Sequence, residues 1–135
     1  MDDWTRAYVG IPFRCGGRTH QGADCWGLVA LVYEEQLGIR LPTFDHDYES
    51  TTDAVAIRQL HDSELADWMS VDGHQRRKFD VVWAAIAGHE CHTLIYLGDG
   101  KVLHCMEGRG TCIERLGLRW SARIRAYYRH RQLVS

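Results

Sequence analysis

The chain has 135 residues, enough for one hydrophobic core and too few for two. Hydrophobic residues make up 45% and charged ones 25%, with only 2 Pro, which excludes disordered, collagen-like and low-complexity chains. Lys+Arg 16 against Asp+Glu 18 leave a formal net charge of −2, which argues against nucleic acid as a partner.

In chain order, Asp3 to Val9 predicts a short opening helix that Gly10-Ile11-Pro12 ends, and Cys15-Gly16-Gly17 with Gly22 make a loop. From Asp24 onward Cys25, Leu28, Val29, Val32 and Leu37 recur at helical spacing, with Gly38 as the stop and Pro42 beyond it. Thr51 to Met69 carries Val55, Ile57, Leu60, Leu65 and Trp68 among acids, behind candidate caps Thr51, Thr52 and Asp53, which predicts a second amphipathic helical region. Five strands follow: Val81-Val82-Trp83, Thr93 to Leu97, Lys101 to Cys105, Cys112 to Leu116 and Arg123 to Tyr128, the second and third joined by Gly98-Asp99-Gly100. Helices first and strands later predict a single α+β domain over 1–135, its helices packed on an antiparallel sheet.

Five cysteines cannot all pair within one chain, and none has Cys-x-x-Cys spacing, so reduced thiols are expected. The start Met1-Asp2-Asp3-Trp4-Thr5-Arg6 is acidic with no apolar stretch behind it, so no secretory signal is expected. No run approaches the ~18 apolar residues of a membrane span. The expectation is a protein made in the cytoplasm, with no membrane partner and no cofactor.

Cys25 falls at the first turn of the predicted helix, behind a glycine-containing loop. Unpaired N–H groups and the positive end of the helix dipole stabilise a thiolate there, and could also hold a developing oxyanion. A cysteine nucleophile needs a base, and the base needs an orienting group. His92 opens the strand Thr93-Leu94-Ile95-Tyr96-Leu97 and His104 closes its partner Lys101-Val102-Leu103, so the hairpin brings both rings to one end of the sheet. His89 is a rival base. His20 lies in the loop before Cys25, where it could touch substrate, whereas His46, His61 and His74 lie in polar stretches and His130 in a basic tail. A metal site drawn from Cys91, His92, His104, Cys105 and Cys112 is disfavoured, because neighbouring strand residues face opposite ways; no metal is expected.

Gly10-Ile11-Pro12-Phe13-Arg14-Cys15-Gly16-Gly17 followed by Gly22-Ala23-Asp24-Cys25-Trp26-Gly27-Leu28-Val29 resembles the opening of the NlpC/P60 cysteine peptidases. The stretch His92 to His104 resembles that family's second signature, and the likeness covers nearly the whole chain. The resemblance implies a papain-like α+β fold with Cys25 as nucleophile, His92 as general base and His104 orienting it. Substrate contacts would come from Phe13, Arg14, Asp24 and Trp26. The implied reaction is hydrolysis of peptide bonds in peptidoglycan stem peptides, commonly between D-glutamate and diaminopimelate or lysine. An acyl acceptor other than water, or a tail-assembly role with the site unused, are the alternatives.

Three departures from the family pattern stand out. Phe13 replaces a common tyrosine, Trp26 a common serine, and Lys78-Phe79-Asp80 a common Pro-Gly-Asp turn. The last change is expected to alter the loop and leave the chemistry alone. Trp26 and Arg125-Ala126-Tyr127-Tyr128-Arg129 resemble the phage tail-associated branch, in which the virion would carry the hydrolase to the cell wall and other tail proteins would be partners. The hairpin register is decisive. A tight two-residue Asp99-Gly100 turn with regular pairing would put His92 and His104 on opposite faces; a three-residue loop or an equivalent bulge pairs Leu94 with His104 and puts both rings on one face.

Overall fold

A computed structural model of the chain describes residues 3–41, 68–86 and 89–134. Asp3–Ala7 forms a tight helical turn, and Arg18–Thr19 (β1) and Gly22–Ala23 (β2) pair as a small hairpin. The helix Cys25–Val32 (α1) comes next and widens over Tyr33–Leu37 before ending at Gly38, whose φ of 68° supplies the left-handed cap. Every residue of α1 is buried, which fits a helix that reads as a nearly unbroken apolar run.

The remaining strands are Trp68–Val71 (β3), Val81–Ile86 (β4), His89–Gly98 (β5), Lys101–Met106 (β6), Gly110–Arg115 (β7) and Ile124–His130 (β8). They form one antiparallel sheet in the order β3-β8-β4-β5-β6-β7, with the short helix Leu118–Ser121 (α2) between β7 and β8. The two faces of the sheet carry separate clusters. Val81, Ile95, Leu103 and Cys105 pack against α1, while Val82, Leu94, Tyr96 and Val102 gather around Trp120 of α2 on the other side.

The five predicted strands are all present. The predicted helical region from Thr51 is corrected at its end, because Trp68 and Met69 belong to β3 and pair with His130 and Arg129 of β8. Its aromatic and β-branched residues satisfy a strand equally well, and cross-strand packing of Trp68 on His130, at 4.9 Å between rings, decides for the sheet. The rest of that region lies outside the described residues, as do His46 and His61.

A buried ion pair fastens β8 to the turn before β4. Arg129 donates from Nε and a terminal nitrogen to the two oxygens of Asp80, both at 2.8 Å, and Asp80 also accepts from the Arg77 N–H at 2.7 Å. Phe79, in the altered turn, has a φ of 76°, the left-handed region that a glycine enters freely. Its ring stacks on Trp4 at 5.2 Å, and its carbonyl accepts the Tyr33 hydroxyl.

The β5–β6 hairpin combines the two sequence alternatives. Asp99 and Gly100 form a tight turn, both with positive φ, and a bulge between Tyr96 and Gly98 shifts the register. Ile95 therefore pairs with Leu103 and Tyr96 with Val102, the register that puts Leu94 opposite His104.

Candidate active site

Asp24 is the N-cap of α1. One carboxylate oxygen accepts from the Gly27 N–H at 2.6 Å and the other from the Gly16 N–H at 2.9 Å, while the Asp24 N–H donates to the Gly17 carbonyl at 3.1 Å. A single buried carboxylate thus ties the glycine loop to the first helical turn, with Cys25 fully buried immediately after it. The close approach leaves no room at Gly27, where a Cβ would stand 1.8 Å from the Gly17 carbonyl oxygen. Gly27→Ala is accordingly expected to destabilise the fold by at least about 3 kcal/mol, read as a lowered urea midpoint; an unchanged midpoint would refute this packing.

The segment Pro12 to Arg14 runs beside Ala23. The Arg14 N–H donates to the Ala23 carbonyl and the Ala23 N–H to the Pro12 carbonyl, both at 3.0 Å. Phe13 is half-buried there and Arg14 exposed. Trp26 is buried and meets Trp68 edge-on at 6.3 Å. On the sheet side the Cys105 thiol donates to the same Ala23 carbonyl at 3.1 Å, fixing the start of α1 to β6 next to His104.

His92 and His104 share the sheet face that carries Trp120 and are in contact: Nε2 of His92 is 2.9 Å from Nδ1 of His104. Nε2 of His104 is 2.5 Å from an oxygen of Glu114 on β7. The other oxygen of Glu114 has Arg109 at 3.9 Å and Arg119 at 3.7 Å. Trp120 roofs the pair, stacked on His92 at 5.9 Å and edge-on to His104 at 5.3 Å. Proton positions follow from the end of this chain. A carboxylate only accepts, so His104 carries its proton on Nε2 and presents a bare Nδ1. His92 must then donate from Nε2, which leaves its own Nδ1 with a lone pair: the tautomer that a general base needs.

Glu114 and Trp120 were not found by sequence reasoning. Alternation was the available signal for Glu114, since it pairs with Val102 and therefore shares a face with His104, which pairs with Cys112.

Burial, reinforced by the neighbouring His104, lowers the pKa of His92 from 6.5 to about 3. Burial also lowers that of His104, against the opposing pull of Glu114. Both rings rest neutral. The unfolded chain binds these protons more readily than the native one, so acid favours unfolding. The thermal midpoint is expected to fall as pH drops from about 6.5 toward 3, the window between the free and the folded values for His92. A midpoint that rises over that window would contradict the assigned burial.

The other histidines are placed elsewhere. His20 bridges Glu35, at 2.9 Å, and the Ala7 carbonyl, at 3.2 Å. His130 is buried against Trp68 and caps the turn that follows β8, which corrects its reading as part of a basic tail. His74 is exposed, and His89 begins β5 opposite Ile86. No disulfide links Cys15, Cys25, Cys105 and Cys112 among the described residues, and no helix among them is long and apolar enough to cross a membrane.

A cysteine at the start of a helix packed on an antiparallel sheet that carries paired histidines is the papain-like α+β arrangement. The chain belongs to the NlpC/P60 family, whose pattern matches residues 10–129. An NlpC/P60 family protein from Bacillus cereus ATCC 10987 superposes with a TM-score of 0.66 at 22% identity, covering 91% of this chain and 36% of that one. The NlpC/p60 domain of the peptidoglycan hydrolase SagA gives 0.61 at 21% identity, covering 91% and 88%. The murein DD-endopeptidase MepS/murein LD-carboxypeptidase of Escherichia coli (strain K12) is 25% identical over 114 residues, 84% of this chain and 50% of that protein. The chain spans about half the length of the curated relatives it matches.

Proposed function

We propose that this domain is a cysteine peptidase that hydrolyses peptide bonds in the stem peptides of peptidoglycan, with Cys25 as nucleophile, His92 as general base and His104 orienting the base. The observation that carries the reading is the His92–His104–Glu114 chain, whose proton order leaves Nδ1 of His92 ready to accept. The murein endopeptidase and the SagA hydrolase named above support the substrate class.

In the acylation step Cys25 Sγ attacks the scissile carbonyl carbon and its proton passes to His92 Nδ1. N–H groups at the start of α1 hold the oxyanion. The C–N bond then breaks as His92 returns the proton to the leaving amine, and water attacks the thioester by the reverse route. Positive charge that forms on His92 is shared through His104 toward the Glu114 carboxylate. Exposed Arg14 and half-buried Phe13 contact the stem peptide, while Asp24 caps the helix start and buried Trp26 packs on Trp68 beside it.

The scissile bond is taken to be the one between D-glutamate and diaminopimelate or lysine. Digestion of purified muropeptides, with products identified by mass, tests this: a new amino terminus on diaminopimelate or lysine supports it, and intact muropeptides refute it. A phage tail-associated placement rests on the sequence likeness at Trp26 and Arg125 to Arg129, and co-purification with phage tails tests it.

A second reading, a tail-assembly domain with its site closed, draws on the full burial of Cys25. The two are separated by alkylation at neutral pH. An active site gives fast labelling of Cys25 that slows in His92→Ala, whereas a closed one gives slow labelling in both.

A further inference from the structure

The residue that orients the base is also a corner of a second cluster. His104 Nε2 stands 3.7 Å from Cys112 Sγ and 2.5 Å from Glu114 Oε2, and all three donor atoms lie within 4.8 Å of one another. Strand pairing builds this convergence: His104 is directly opposite Cys112, and Glu114 is two residues further along β7 on the same face. Cys105 faces the other way, toward the Ala23 carbonyl, and takes no part.

We propose that His104, Cys112 and Glu114 form an inhibitory site for zinc or a similar borderline-soft divalent cation. The donor set of one imidazole, one thiol and one carboxylate matches the preferences of zinc, with a water completing four-coordination. Around zinc, bonds of about 2.0 Å to nitrogen and about 2.3 Å to sulfur put these two atoms about 3.5 Å apart, close to the present spacing. The carboxylate must move back by somewhat under ~1 Å, to about 3.4 Å from the imidazole nitrogen, for the same tetrahedral reason. Glu114 and Cys112 are both partly exposed, and the carboxylate has room to do so. Its other oxygen keeps Arg109 and Arg119, whose positive charge the incoming thiolate and the carboxylate together offset.

Inhibition follows from proton order, and this consequence rests on the peptidase reading above. Zinc displaces the Cys112 thiol proton to solvent and occupies Nε2 of His104, whose single proton then resides on Nδ1. That N–H donates to Nε2 of His92, so the His92 proton moves to Nδ1, the position that would have accepted from Cys25. One proton is released overall, and the base is blocked without any contact between metal and nucleophile.

Cobalt(II) reports the site through its thiolate charge-transfer absorption, and Cys25→Ala protein removes any site built on the nucleophile. The expected result is a saturable band and zinc-competed one-to-one binding in Cys25→Ala, both lost in Cys25→Ala/Cys112→Ala. In the active chain, Cys112→Ala should retain basal hydrolysis and require at least tenfold more zinc for half-inhibition. Binding that survives loss of Cys112, or no binding to Cys25→Ala, overturns the site. If cobalt binds through Cys112 while muropeptides stay intact without metal, the site stands and the peptidase reading fails.

Discussion

Cys25→Ala is expected to reduce muropeptide hydrolysis by about 10⁴-fold or more while the circular dichroism spectrum and unfolding transition stay near those of the parent. The nucleophile removed is a small side chain at the first turn of α1, and the Asp24 carboxylate, bonded to the Gly16 and Gly27 N–H groups, holds the helix start. Losing one buried sulfur costs about 1 kcal/mol, small against a typical domain stability of about 5–15 kcal/mol. Activity that persists in Cys25→Ala but disappears in a Cys15 or Cys105 variant would move the nucleophile elsewhere.

The next largest effect is expected at His92. His92→Ala removes proton transfer itself and should lower kcat by about 10²–10⁴, whereas His104→Ala removes only the group that fixes the tautomer and should cost roughly tenfold less. His104 is fully buried between His92 and Glu114, so its loss leaves hydrogen-bonding groups on both neighbours without their partner. His104→Ala must therefore be compared at equal folded fraction, with kcat measured on protein shown to be native by its unfolding transition. The opposite ranking would make His104 the base.

Much of this arrangement could be read from residue order. Apolar alternation in Thr93 to Leu97 and Lys101 to Cys105 defines the hairpin, and the requirement that two histidines share a face selects its register. Local patterning could not choose between a three-residue loop and a two-residue turn with a bulge, because both give Leu94 opposite His104 and differ only near Leu97. Glu114 was hidden for a related reason. In Cys112-Ile113-Glu114-Arg115 an acid on an outer strand reads as a solvated position, and only the pairing of Val102 with Glu114 shows it beside His104. In the sequence Trp68 and Met69 read as helix because an amphipathic pattern upstream runs into them without a break. The contact that makes them a strand comes from His130 and Arg129, at the far end of the chain. Trp120 sits in a four-residue helix too short to show a period, and its role as a roof over both histidines is purely tertiary.

The turn at Phe79 has an evolutionary consequence. A side chain in the left-handed region costs roughly 1–2 kcal/mol, and a stacked aromatic pair returns about 0.5–1.5 kcal/mol beyond its buried area. The strain at Phe79 and its stacking on Trp4 are therefore of similar size, and neither position can drift alone. Glycine at 79 relaxes the backbone but takes the stack from Trp4, which keeps its edge-on contact with Tyr8 and Lys78 over its ring, whereas a β-branched residue loses the stack and keeps the strain. Lineages that restore glycine at this turn should also have lost the tryptophan at position 4, so the two sites form a linked pair across about 75 residues of chain.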